Sequence, residues 1–272
     1  MAAEPPAPIY LDHAATTPLR REAAEAMIRA QAEAWGNPSS PHACGRRAKR
    51  LLEDCRERIL ALLGGRTAGP DRDRLVFTSG ATEANRLAIL GLAGRETGCF
   101  ASSARDHGSI RAARAEFARR GWRVVEMPLA ADGRIDSAWR LPAGGRAVLT
   151  TTLVCSQSGA VEEPARVAAD HAAALVHVDA TQAVVARRVS FAELGAASLA
   201  LAPHKFEGPR GVGALVVRGG LAVDPPTPGP QEAGLRGGTE PVPLAAGFAR
   251  ALELAVAERE ATANSRARAK PA

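Results

Sequence analysis

Lysine is almost absent from this chain. Of 35 basic residues only Lys49, Lys205 and Lys270 are lysine, and the remaining 32 are arginine. A guanidinium stays protonated, so arginine serves wherever a positive charge is enough but fails where a deprotonated amine is required. Schiff-base formation with a carbonyl compound is such a case. Lys205 ends the apolar run Ser198-Leu-Ala-Leu-Ala-Pro-His204-Lys205, whereas Lys49 falls on the polar face of a helical pattern and Lys270 in a polar tail. Lys205 is the candidate nucleophile; the competing reading is a lysine snorkelling from a strand end.

Two further segments carry chemistry at the ends of apolar runs. Thr78-Ser-Gly-Ala-Thr-Glu83 reads as a strand turning through Ser-Gly into a helix. Ala81 and Thr82 then present backbone N–H groups and a hydroxyl at a helix N-terminus, which is a phosphate cradle; the alternative is an ordinary turn with a Ser or Thr cap. In His177-Val-Asp179-Ala-Thr-Gln182 an acid closes the apolar run Ala174 to Val178. Such an aspartate can pair with a protonated ring nitrogen, as pyridoxal phosphate requires, or serve as a helix N-cap. Cradle, strand-end acid and secluded lysine together are what a bound aldehyde cofactor needs.

These groups need a scaffold that delivers strand ends to one place. Helical spacing marks Arg21 to Trp35 and Arg46 to Leu63, where Ala48, Leu51, Leu52, Cys55, Ile59 and Leu62 recur on one face. Gly36-Asn-Pro-Ser-Ser-Pro41 breaks the chain between them. From Leu75 onward short apolar strands alternate with helices. The strands are Leu75–Thr78, Cys99–Ser102, Arg123–Met127, Ala147–Val154, Ala174–Val178, Ser198–Ala202 and Gly213–Val217; the helices are Ala81–Leu92, Ser109–Arg120 and Ala165–Ala173. That alternation predicts an α/β fold, a mostly parallel sheet with helices on both faces. Open sheets of this kind bind ligands at the carboxyl ends of their strands. Gly219 to Gly238 reads as an irregular loop, and Pro241 to Glu260 returns to a helical pattern. The expected organisation is an N-terminal segment 1–20, a large domain 21–260 and a frayed tail 261–272.

Composition narrows the partners. The net charge of +6 comes from arginines scattered over helix faces, with no aromatic-interleaved basic stripe, so no nucleic-acid partner is expected. No apolar run reaches the roughly 18 residues of a membrane span, and the first residues lack a signal peptide's basic and apolar regions; the expected compartment is cytoplasm. Cys44, Cys55, Cys99 and Cys155 form no Cys-x-x-Cys pair, so neither a metal site nor a disulfide framework is signalled. Cys55 and Cys99 read as packing residues.

The segments in order resemble a known family. Tyr10-Leu-Asp-His-Ala-Ala-Thr-Thr-Pro18, Gly36-Asn-Pro-Ser-Ser40 with His42 and Gly45, Phe77-Thr-Ser-Gly-Ala-Thr-Glu83, His177-Val-Asp-Ala-Thr-Gln182, His204-Lys205 with Gly208-Pro-Arg-Gly211, and Gly234-Leu-Arg-Gly-Gly-Thr239 are similar to those of cysteine desulfurases of the NifS/IscS type. These belong to the class V aminotransferase group, with a fold-type-I large domain that binds pyridoxal 5'-phosphate. The resemblance implies that Lys205 holds the cofactor as an internal aldimine, Asp179 pairs with the pyridine nitrogen and Gln182 contacts the ring hydroxyl. It places Thr82 and the Ala81 backbone on the phosphate with His204, and His107 over the ring as a proton-transfer group. The family's counterpart of Thr239 reaches the phosphate of a neighbouring subunit, which implies a homodimer. L-cysteine is the implied substrate; an enzyme cysteine takes its sulfur as a persulfide, leaving alanine, for a sulfur-acceptor protein in iron–sulfur cluster or thio-cofactor assembly.

The chain also departs from that pattern. The family continues into a C-terminal small domain with the persulfide-forming cysteine and the arginine that grips the substrate carboxylate; the expectation is that this domain is absent here and leaves an uncovered face. None of the four cysteines matches the loop position. Cys155-Ser-Gln-Ser-Gly159 stands where the family has an asparagine-containing turn, and Ala202 where it has a serine. The lost phosphate hydroxyl costs about 1.5–3 kcal/mol. Two classes of function follow: a pyridoxal-phosphate enzyme completed by a separate C-terminal polypeptide, with selenocysteine lyase as the nearest competing activity, or an inactive remnant or cofactor-binding partner subunit.

Overall fold

The structure is a computed structural model and describes residues 9–142 and 144–268. Its order is α1 (Arg21–Glu33), α2 (Ala43–Leu62), β1 (Arg74–Thr78), α3 (Ala81–Ala93), β2 (Gly98–Ser103), α4 (Gly108–Arg119), β3 (Arg123–Met127), β4 (Arg146–Thr152), α5 (Pro164–Asp170), β5 (Leu175–Asp179), β6 (Ser198–Leu201), β7 (Gly213–Val217) and α6 (Val242–Arg268). The seven strands form one sheet in the order β1-β7-β6-β5-β4-β2-β3. β7 runs antiparallel to both neighbours and the other pairs are parallel. Six strands therefore point one way, and the start of β7 lies among their carboxyl ends: Gly213 pairs with Thr78, and Ala214 with Leu201.

Alternation along each strand separates two faces. Leu75, Phe77, Val176, Val178, Leu199, Leu201, Ala214 and Val216 join the core shared with α1, α2 and α6. Val76, Ala200, Leu215 and Val217 face the other way, onto Ala84, Leu87 and Ala88 of α3. Burial on both sides explains why the strands read as continuous apolar runs. On β5 the second face carries His177 and Asp179 after Leu175, both buried.

The segment after β7 is irregular, as its Gly and Pro content predicts, apart from a 3-10 turn at Glu232–Gly234. Glu232 and Ala233 hold positive φ values of 48° and 57°. Glu232 stays there because its fully buried carboxylate accepts from the Arg56 guanidinium (2.7 and 3.0 Å) and from the Phe77 N–H (2.9 Å). Arg56 also lies over the Phe77 ring, 4.9 Å from its centroid. The loop is thereby pinned to β1, the strand that leads into Thr78-Ser79-Gly80.

The C-terminal helix differs from expectation. It continues past Glu260 to Arg268, because Ala and Arg favour helix and no Gly or Pro intervenes before Pro271. Residues 1–8 and 269–272, with Lys270, lie outside the described residues.

Two substitutions test this frame. Glu232→Ala strands the Arg56 charge and the Phe77 amide, and is expected to lower the unfolding free energy in urea by about 3–5 kcal/mol. A Cβ on Gly213 would stand 2.5 Å from the Gly80 carbonyl carbon and 2.9 Å from the Ala81 nitrogen. Gly213→Ala should therefore cost about 1–3 kcal/mol, whereas Gly69→Ala, at a positive-φ glycine with open space around it, reports the backbone effect alone.

Candidate active site

Where β1, β4, β5 and β6 end, a cavity of about 450 Å3 opens. The close approach of Gly213 to Gly80 sets α3 against the start of β7 at its rim. Gly80 is the N-cap of α3 and makes no side-chain cap bond, while Thr78 Oγ1 donates to the Gly80 carbonyl (2.9 Å) and is thereby occupied. A Ser or Thr cap is thus ruled out, and no side chain caps the first-turn N–H groups. Ala81 and Thr82 line the cavity. A helix N-terminus of this kind favours an anion. Glu83 on the same turn is drawn away: it accepts from the Ser79 N–H (2.5 Å) and pairs with Arg236 (2.8 Å). Burial opposes its ionisation, but the Ser79 and Arg236 bonds outweigh it and hold the carboxyl below the usual range.

Asp179 closes β5 and is 4% exposed. No helix follows it, so it is not a helix N-cap; one oxygen accepts from the Thr181 N–H in a turn (3.0 Å) and the other from Asn85 Nδ2 (2.8 Å). Beside it the Thr181 hydroxyl is buried in the cavity wall without a partner. An orphaned polar group in a ligand-sized cavity is what a polar ligand would satisfy.

Lys205 ends a 3-10 turn, Pro203–Lys205, directly after β6. It is half-buried, and its Nζ donates to the carbonyls of Ala14 (2.6 Å) and Ala15 (2.8 Å). Burial pushes its amine below the ordinary lysine value, against the nearby charges of Asp179 and Asp12. Gln182 Nε2 reaches the same Ala14 carbonyl at 2.7 Å. His204 shares a hydrogen bond with Thr16 (Nδ1 to Oγ1, 3.1 Å). Burial holds its imidazole below the usual value, reinforced by the Lys205 and Arg210 charges. A wider cavity of about 880 Å3 opens beyond Lys205, lined by Gln182, Phe206, Glu207 and the α6 residues Glu258 and Arg259. Lys205 and Gln182 stand in the wall between the two.

The 450 Å3 cavity thus collects Lys205, Asp179, Gln182, His204, Ala81, Thr82 and His107. His107 is not a free loop histidine: it caps α4 by accepting the Ser109 N–H (3.2 Å), with the ring exposed. Thr239 is exposed and does not line the cavity. No cysteine lines it either; Cys155 is buried, with Sγ 3.7 Å from the Arg105 carbonyl. Among the described residues no group of three His, Cys, Asp or Glu side chains could hold a metal ion.

Two contributors escape sequence reasoning. Arg105 is buried at the cavity, donating to the Thr152 and Ala160 carbonyls and pairing with Glu162 at 3.4 Å. Nothing in the spacing of these two residues joins them. Asn85 holds Asp179 from α3, and only its position four residues after Ala81 hints at the shared face. The uncapped helix end, the half-buried amine, the strand-end carboxylate and the orphaned Thr181 hydroxyl fit a phosphate-bearing aromatic aldehyde such as pyridoxal phosphate.

Comparison with known proteins agrees with this geometry. A family model described as aminotransferase class-V matches residues 9–270. A cysteine desulfurase IscS of Dictyoglomus turgidum is 34% identical over 267 residues, 93% of this chain and 65% of that protein. A selenocysteine lyase of Homo sapiens is 32% identical, over 93% of this chain and 64% of its own length. A solved structure described as SspA in complex with cysteine superposes with a TM-score of 0.79 at 32% identity, covering 90% of this chain and 72% of that one. The chain spans just under two thirds of the length of these curated relatives. With the mostly parallel, fold-type-I sheet and the lysine-bearing cavity at its carboxyl edge, the chain belongs to the class V aminotransferase family, whose cofactor is pyridoxal phosphate.

Proposed function

We propose that this chain is the cofactor-binding part of a pyridoxal-phosphate-dependent cysteine desulfurase, with L-cysteine as substrate. The observation that carries the reading is the single cavity that gathers Lys205, Asp179 and the uncapped start of α3. The cysteine desulfurase relative and the neighbour solved with cysteine support the substrate.

The Ala81 and Thr82 N–H groups, the Thr82 hydroxyl and His204 would hold the phosphate. Asp179 would orient the ring nitrogen, Gln182 the ring hydroxyl, and His107 would cover the ring; Lys205 would attach the cofactor through Nζ. When bound, pyridoxal phosphate supplies an electron sink for charge developing at the substrate α-carbon. Lys205 Nζ, its amine lowered by burial, holds its proton less tightly than a solvated lysine, so more of it is unprotonated near neutral pH and free to act as nucleophile or base. The N-terminal turn around Ala14 and Ala15, hydrogen-bonded to Lys205 and Gln182, fixes the position of that amine.

Thr239, exposed outside the cavity, suits a homodimer in which it completes the phosphate site of the other copy. We place the protein in the cytoplasm, passing sulfur to an acceptor protein for iron–sulfur cluster or thio-cofactor assembly. Among the described residues no helix is long and apolar enough to cross a membrane. One observation favours a second reading, a cofactor-binding partner subunit without turnover: no cysteine lines the cavity. In the first reading the sulfur-accepting thiol therefore comes from outside this lining.

Visible absorbance tests both. The purified protein with added pyridoxal phosphate is expected to develop a band that requires Lys205 and changes when cysteine is added. Lys205→Ala should lose that band and lower any alanine release by about 10²-fold or more. A Lys205-dependent band indifferent to cysteine would select the partner-subunit reading, and a wild-type spectrum matching Lys205→Ala would contradict both.

A further inference from the structure

The buried face of β5 holds two residues that no packing argument requires. Strand alternation puts His177 and Asp179 on the side covered by α3, at positions where the opposite face carries Val176 and Val178. His177 is fully buried, and so is Asn85 on α3. Burying an amide, an imidazole and a hydroxyl costs about 1–3 kcal/mol for each group left unpaired. None is left unpaired.

Each hydrogen bond in the cluster has a defined direction. Asn85 Nδ2 lies 2.8 Å from Asp179 Oδ2 and 3.1 Å from Ser109 Oγ, and its Oδ1 lies 2.9 Å from His177 Nε2. The two amide hydrogens and the carbonyl oxygen are all in use. A reversed amide would set its oxygen against a carboxylate oxygen, so this orientation is set by the network. His177 Nε2 must then carry a hydrogen, leaving Nδ1 to accept from Ser198 Oγ at 2.8 Å, its register partner on β6. Burial supports the neutral ring, pushing His177 down to about 4 against the opposing charge of Asp179. On the other branch, Ser109 Oγ accepts from Asn85 and donates to His107 Nδ1 at 2.8 Å. That nitrogen also accepts the Ser109 N–H, so the free His107 nitrogen is Nε2.

We propose that Asn85 is the positioning residue of this site, one amide fixing both the Asp179 carboxylate and, through Ser109, the His107 imidazole, with His177 and Ser198 holding that amide in place. This rests on the reading that the cavity takes pyridoxal phosphate. Asp179 and His107 come from different elements and would meet the cofactor at different atoms. A shared hydrogen-bond donor makes their orientations interdependent, so a change at Asn85 disturbs both.

Asn85→Asp keeps the shape but replaces the donor to Asp179 with an acceptor. Titration with pyridoxal phosphate, followed by the Lys205-dependent visible band, is expected to show about tenfold weaker binding. The pH midpoint of the band should move upward, because a ring nitrogen less firmly held as a cation acidifies the conjugated group on Lys205 less. His177→Gln, which can still donate to Asn85, should keep the midpoint, and His177→Leu should shift it. Loss of stability alone would leave the midpoint in place. A band whose affinity and midpoint ignore Asn85→Asp and His177→Leu overturns this inference while leaving the cofactor reading intact. A wild-type chain without a Lys205-dependent band overturns both. Should the variants not fold, the wild-type protein decides by nitrogen-resolved NMR of its histidine rings. A neutral His177 with its hydrogen on Nε2 at pH 6 to 7 upholds the network, and a hydrogen on Nδ1 overturns it.

Discussion

A sheet packed on both faces brings the polar side chains that can meet a ligand to the edge where its strands end. Here six strands share a direction and deliver their carboxyl ends to the same edge. The close contact of Gly213 with Gly80 sets α3 there with its first N–H groups uncapped. Much of what gives the cavity its chemistry follows from that arrangement. Asp179 closes β5, the cradle follows β1, and Lys205 ends the short turn that follows β6.

The electrostatics at this edge depend on which term dominates at each group. For Lys205 burial outweighs two nearby carboxylates and lowers the amine. For Glu83, hydrogen bonds from Ser79 and Arg236 outweigh burial, so a negative charge on the first turn of α3 is matched and turned aside. Asp179 is reached by N–H donors on both oxygens. The result places a positive helix end, an aspartate and a weakly held lysine proton around one cavity of about 450 Å3.

Much of this was legible in the sequence because local signals and tertiary demands coincide. Scarcity of lysine singled out Lys205, and the apolar runs gave strands whose ends differ from the observed ones by two residues at most. What escaped has a common cause: it depends on residues distant in sequence. The reversed direction of β7 leaves no mark on its composition, since it is buried on both faces like the parallel strands β4, β5 and β6 beside it in the sheet. The Arg56–Glu232 and Arg105–Glu162 pairs join segments far apart in the chain. His177 was visible only as a neighbour of Asp179, and Asn85 only through its position four residues after Ala81. Thr239 stands outside the cavity.

The account turns on Lys205 being the amine that takes an aldehyde, and a covalent trap tests that directly. Pyridoxal phosphate is added to the native protein, borohydride reduces whatever adduct has formed, and the digested protein is mapped by mass spectrometry. The account predicts a phosphopyridoxyl group on the peptide containing Lys205, retained when free cofactor is kept scarce, with Lys49 and Lys270 unmodified under the same conditions. Label spread evenly over the three lysines, or absent from Lys205, would contradict it.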